Sequence, residues 1–163
     1  MKLKTALTTM VALSTIILGA CGNNQEASEE EGYEHAQHVT GDLREETASV
    51  DSLPKFLAAK PDDMKVLYQA AANHQELLEN IPCYCGCGES AGHTSNYDCF
   101  VYDNKENGAV VWDDHGTRCG VCLEIAAESI VDYSEGKSIK EIRQTIDEKY
   151  KEGYAKPTPT PEV

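Results

Sequence analysis

Three cysteines stand on alternate positions in Pro82-Cys83-Tyr84-Cys85-Gly86-Cys87-Gly88, followed by a lone Cys99 and by Cys119-Gly120-Val121-Cys122. No other feature constrains the fold as strongly. Side chains two apart on an extended chain point the same way, about 6.6 Å apart at ~3.3 Å per residue, which disfavours bridges between neighbours. Cys83, Cys85 and Cys87 would each need a distant partner, and only three thiols remain. A disulfide framework can just satisfy that arithmetic, with about fifteen pairings open to six cysteines. Only two Phe and one Trp are available for a core. A small domain so built needs disulfides or a metal to hold it.

The same spacing suits a thiolate cluster. Gly86 and Gly88 permit positive φ, so the Cys83–Cys87 loop can curl and aim several sulfurs at one or two ions. A tetrahedral zinc site takes four ligands, often as two closely spaced pairs, and Cys-x-Cys plus Cys-x2-Cys fits that pattern. Six soft thiolates exceed one zinc and favour monovalent copper, which places copper ahead of zinc. His93 and His115 each lie near a cysteine in sequence and are candidate ligands beside Cys83, Cys85, Cys87, Cys99, Cys119 and Cys122. A buried imidazole ligand needs an acceptor for its other nitrogen, and Asp98, Asp113 and Asp114 are within reach in sequence. No side-chain constellation elsewhere reads as catalytic.

Lys2 and Lys4 precede an apolar run from Ala6 to Ile17, which ends in Leu18-Gly19-Ala20-Cys21. This is the build of a secretory signal over 1–20, and the run is short of the roughly 20 residues that span a bilayer. Leu-Gly-Ala-Cys resembles the bacterial lipobox, which implies lipidation of Cys21, cleavage before it and a lipid anchor at the extracytoplasmic face of the cell membrane. The formal net charge of −14 becomes more negative once Lys2 and Lys4 are removed, and such a field repels nucleic acid. Residues 21–50 carry acidic runs and few large apolar side chains, and they read as a disordered stalk in which His35 and His38 are solvated. Residues 154–163, with Lys156-Pro157-Thr158-Pro159-Thr160-Pro161, read as an extended, unpacked tail.

The domain then occupies 51–153 and is expected to be mainly α. Asp62 and Asp63 follow Pro61 and open an apolar stripe through Met64, Leu67, Ala71 and Leu78, which predicts a helix over 62–79. A second helix, over 118–134, places Cys122, Ile125, Ala126, Ser129, Ile130 and Tyr133 on one face and stops at Gly136. Ser138 to Glu141 forms a capping box for a third, over 138–151. Between the first two lies an irregular Cys-rich loop, in which Phe100-Val101-Tyr102 and Ala109-Val110-Val111-Trp112 flank a polar turn and suggest a short β-hairpin. His74 falls on the apolar side of the first helix.

Pro82-Cys83-Tyr84-Cys85-Gly86-Cys87, followed by Gly92-His93, Cys99, His115-Gly116 and Cys119-x2-Cys122, resembles the PCYCGC-motif lipoproteins of Bacillus-type bacteria over about residues 50–152. That resemblance implies a lipoprotein and assigns no reaction. More faintly, Arg118-Cys119-x2-Cys122 with Glu135 to Arg143 resembles the helical thiol-reductase subunit of cytochrome c maturation, which lacks the Cys83–Cys87 cluster. Three classes of function stay open. The leading one is a membrane-anchored lipoprotein that binds copper or zinc through its cysteines and histidines and exchanges it with a metal donor or acceptor protein. The second is a thiol-disulfide redox protein, with Cys119 attacking and Cys122 resolving. The third is a disulfide-stapled interaction module without chemistry of its own.

Overall fold

The computed structural model describes residues 41–163; the expected signal over 1–20, Cys21, His35 and His38 lie outside the described residues. Strands β1 (Arg44–Thr47), β2 (Val101–Asn104) and β3 (Val110–Asp113) form an antiparallel sheet in the order β1-β3-β2. Around it run helices α1 (Asp62–Asn73), α2 (Gln75–Leu78), α3 (Gly88–Ala91), α4 (Gly120–Ser134) and α5 (Ile139–Lys149). The domain therefore combines five helices with a small three-stranded sheet, and is not clearly mainly helical. None of the described helices is long and apolar enough to cross a membrane.

The hairpin forms where alternating apolar residues bracket a polar turn. Gly108 takes φ 87° and Lys105 N–H donates to Ala109 O, which brings the two strands round. A register shift at Tyr102 leaves that ring exposed beneath the Arg44 guanidinium. Strand β1 departs from expectation, because its residues fall within the acidic segment read as a stalk over 21–50. Arg44-Glu45-Glu46-Thr47 has no apolar alternation, and what holds it is main-chain pairing to β3 together with Trp112 Nε1 donating to Thr47 Oγ1 at 2.8 Å.

The first predicted helix is two. His74, at φ −118° and ψ 42°, ends α1 and precedes α2. Its ring Nδ1 donates to Ala70 O at 2.7 Å and its edge meets Tyr133, so a side chain satisfies a carbonyl that the broken helix leaves free. Helix α4 starts at Gly120 rather than 118, after a 3-10 turn at His115–Arg118, and Tyr133 on its expected apolar face is exposed. It ends in a Schellman motif, with Gly136 at φ 90° and Lys137 N–H donating to Asp132 O. Ser138 and Glu141 cap α5 reciprocally, as the sequence predicts.

The core joins two aromatic groups. Tyr68 meets Phe100 edge-on at 5.0 Å and lies near Trp112 at 6.4 Å, with its hydroxyl donating to Asp113 O. Tyr84 stacks on Tyr150 at 5.6 Å and donates to Asp147 Oδ1 at 2.6 Å, which pins the Cys83–Gly88 loop to α5. Four fully buried aromatics (Trp112, Tyr68, Tyr150 and Phe100) thus offset the scarcity of Phe and Trp.

The C-terminal segment also departs from expectation. Instead of an unpacked tail, residues 155–158 run alongside the Cys83–Tyr84 backbone as a strap. Ala155 N–H donates to Tyr84 O, Thr158 N–H donates to Cys83 O, and Cys83 N–H donates to Thr158 Oγ1 at 2.9 Å. Thr158 is buried. The domain expected over 51–153 therefore gains a strand before it and a strap behind it.

Candidate metal centre

Four pieces of chain meet where α4 begins. The Cys83–Gly88 loop supplies Cys83, Cys85 and Cys87; the turn Tyr97–Cys99 supplies Cys99; the turn His115–Arg118 supplies His115; and Cys119 caps α4, with Cys122 in its first turn. Gly86 takes φ 80°, which turns the loop so that Cys85 faces the cluster. Gly88 is needed for space: a Cβ there would lie 2.4 Å from Thr158 Cγ2. Close packing also seats His115, since a Cβ on Gly116 would come within 3.0 Å of the Tyr68 hydroxyl and of Phe100.

All six cysteines of the described residues are free thiols. Cys83 and Cys122 are buried with their sulfurs 3.2 Å apart. Cys83, Cys85 and Cys122 place one ligand atom each within 4.8 Å of one another, as do Cys85, Cys87 and His115, and His93, Cys99 and His115. Cys119 borders Cys85. The structure thus brings together all eight residues that sequence singles out, with Cys85 and His115 each common to two groups. Cys87 alone is exposed, at the rim.

Charge is distributed unevenly over these sulfurs. The neighbouring thiols of Cys119 and Cys122, with the His115 ring beside them, pull the Cys85 thiol down to about 4. Cys122 and Cys83 bring Cys99 down to about 7. The opposite holds for Cys122, raised by its bonds to Cys119 and Cys83, and for Cys87, raised by burial and by the charge on Cys85. A packed thiol cluster cannot ionise everywhere at once, so the negative charge settles on Cys85 while Cys122 keeps its proton. Cys85, followed by Asp42, raises His115 to about 9. Without a metal, His115 is the cation that balances the thiolate at neutral pH.

The residue that orients His115 lies outside the cysteine motifs. Asp42 Oδ1 accepts from His115 Nδ1 at 3.1 Å, and Arg118 holds the same carboxylate and Asp114. A carboxylate can only accept, so the bond places a proton on Nδ1 and leaves Nε2 to the sulfurs. Nε2 is buried with no hydrogen-bond partner, as are both ring nitrogens of His93. Of the three acceptors expected from sequence, Asp98 instead closes a turn through Thr94 and Ser95, Asp114 accepts from Leu43 N–H, and Asp113 accepts from the His115 backbone. Asp42 was hidden from sequence reasoning because one aspartate in an acidic stretch has no local signature.

The donor set is chemically specific. Clustered sulfurs, an imidazole nitrogen fixed toward them and buried polar atoms without partners suit a thiophilic cation, and these Cys/His groups could hold a metal ion. No curated protein and no solved structure matches the chain. A family model described as "protein of unknown function with PCYCGC motif" matches residues 10–163, and the chain belongs to that family.

Proposed function

We propose that this chain is an extracytoplasmic, lipid-anchored protein that binds a soft metal ion, copper(I) ahead of zinc(II), and exchanges it with a donor or acceptor protein. One observation carries the reading: six free thiols from three separated segments gather together, and three of them, Cys85, Cys87 and Cys99, lie within ligand-sharing distance of His115, whose Nε2 is buried and unpartnered. Copper leads because the sulfurs outnumber what one tetrahedral zinc can use, and because thiolates in excess suit multinuclear copper(I). Exposed Cys87 offers an incoming ion its first sulfur, from which it can pass to Cys85 and the buried pair. The anchor rests on the leader alone, with its charged start, short apolar run and Cys21.

Native mass spectrometry of the full chain, purified without oxygen and offered copper(I) or zinc(II), tests the reading. Discrete adducts with all six domain thiols reduced are expected. A metal-free mass lower by about six hydrogens would instead mean three disulfides. The redox alternative keeps one specific support, the 3.2 Å contact between Cys83 and Cys122. That contact names Cys83, rather than Cys119, as the sulfur that Cys122 meets on oxidation. Loss of only about two hydrogens, located at Cys83 and Cys122, would favour it.

A further inference from the structure

Beside the sulfur cluster lies a group of oxygen and nitrogen donors. His93 is 5% exposed, and neither ring nitrogen has a hydrogen-bond partner. Its Nε2 faces two carboxylates, Asp42 Oδ2 at 3.7 Å and Asp113 Oδ2 at 4.0 Å. Both separations exceed hydrogen-bond length, so the ring is not there to donate to either carboxylate. Leaving a buried nitrogen unpaired is costly, and this ring has two.

An ion between the groups removes that cost at Nε2. With metal–nitrogen and metal–oxygen bonds near 2.1 Å, donors on one cation stand about 3.4 Å apart at the tetrahedral angle and no more than about 4.2 Å when opposed. The two observed separations fall inside that window. Asp42, His93 and Asp113 place one donor atom each within 4.8 Å of one another.

Local charge leaves room for a cation. Three carboxylates, those of Asp42, Asp113 and Asp114, face two guanidiniums, those of Arg44 and Arg118, and the ring of His115, whose charge the Cys85 thiolate balances. Oxygen and imidazole donors select a borderline divalent ion and discriminate against copper(I), the reverse of the sulfur cluster a few ångströms away.

We infer that Asp42, His93 and Asp113 form a second cation site, for a zinc-like divalent ion, which assigns His93 to this site rather than to Cys99 and His115 and leaves the thiolate cluster to the cysteines and His115, with the Asp42–His115 contact between the two. The site does not depend on what the sulfurs bind. Asp42 has a double part, since Oδ1 fixes the tautomer of His115 and Oδ2 faces the second ion.

Cobalt(II) separates the two sites. Thiolate-bound cobalt shows intense near-ultraviolet charge transfer, whereas cobalt on oxygen and nitrogen shows only weak visible bands. Titration of the reduced full chain is expected to give about one equivalent of visible absorption without charge transfer, and this increment should survive prior loading with copper(I). It should vanish in His93→Gln and weaken about tenfold or more in Asp42→Asn. Emission of the fully buried Trp112 shows whether each variant folds, and Asp42→Asn tests the site alone should His93→Gln unfold. The assignment is overturned if every bound cobalt carries charge-transfer intensity, or if the increment persists in both variants. Failure of the thiolate reading looks different: copper(I) would not bind and charge transfer would be missing, with the oxygen–nitrogen increment intact.

Discussion

Cys85 is the sulfur on which the cluster turns. It shares one group with Cys83 and Cys122 and another with Cys87 and His115, whereas Cys87 sits exposed at the edge. Removing an outer-shell partner costs a metal site about 10–100-fold in affinity, so loss of a shared ligand should cost at least the upper end. Cys85→Ser is expected to weaken copper(I) binding by about 100-fold or more and Cys87→Ser by about tenfold, read by competition against a chelator of known affinity; equal losses would deny Cys85 its shared role. The metal-free form also has a definite pH profile, because stability rises with pH wherever the unfolded chain holds more protons. Cys85, lowered from 9.0 to about 4, adds stability that is complete above 9 and lost as pH falls toward 4. His115, raised from 6.5 to about 9, adds stability that is complete below 6.5 and lost as pH rises through 9. The two slopes oppose each other between 6.5 and 9, and Cys99, lowered from 9.0 to about 7, adds a further rise between 7 and 9. Below 6.5 Cys85 acts with buried His93, lowered by burial, while Asp113, raised by burial, opposes them in part. Above 9 the raised thiols of Cys87 and Cys122 add to the decline. Denaturation of chelator-treated protein should therefore trace stability that rises through neutrality to a maximum near 9 and falls beyond it, and Cys85→Ser should flatten the acid limb.

At the level of elements, legibility followed apolar periodicity. The α4–α5 hairpin could be read because Cys122, Ile125, Ala126 and Ser129 face inward at helical spacing, with Gly136 and the Ser138–Glu141 box marking its ends. Strand β1 could not, because its residues are polar and its place is set by backbone pairing to a strand far along the chain. The break at His74 was hidden for another reason: no Gly or Pro marks it, and tertiary contacts of the imidazole stabilise it. The strap was the hardest to see, since Thr158 is one threonine in a Pro/Thr repeat until its hydroxyl meets Cys83 N–H. Thr158→Val keeps the shape and removes that acceptor, leaving a buried N–H unpaired. It should cost about 1–3 kcal/mol in chemical denaturation, and a change within about 0.5 kcal/mol would make the strap incidental. The eight candidate ligands, by contrast, were legible from residue type and spacing alone, since dense thiols have few uses.

For the whole molecule, metal and fold are coupled through mass action. An ion that binds only the native chain stabilises it by about 2.7 kcal/mol at a free concentration 100 times its dissociation constant. Thermal unfolding should accordingly shift upward on adding copper(I) under reducing conditions and return on adding a chelator; an unchanged midpoint at saturating metal would mean that the cluster does not bind the ion in the native state. The structure also sets an order of events. Candidate ligands lie between Asp42 and Cys122, whereas the strap that backs Cys83 comes from Ala155 to Thr158. A chain emerging from its N-terminus presents every sulfur before it presents that support. A product cut short ahead of Thr158 would carry the complete set of thiols around a Cys83 whose backbone has lost its support.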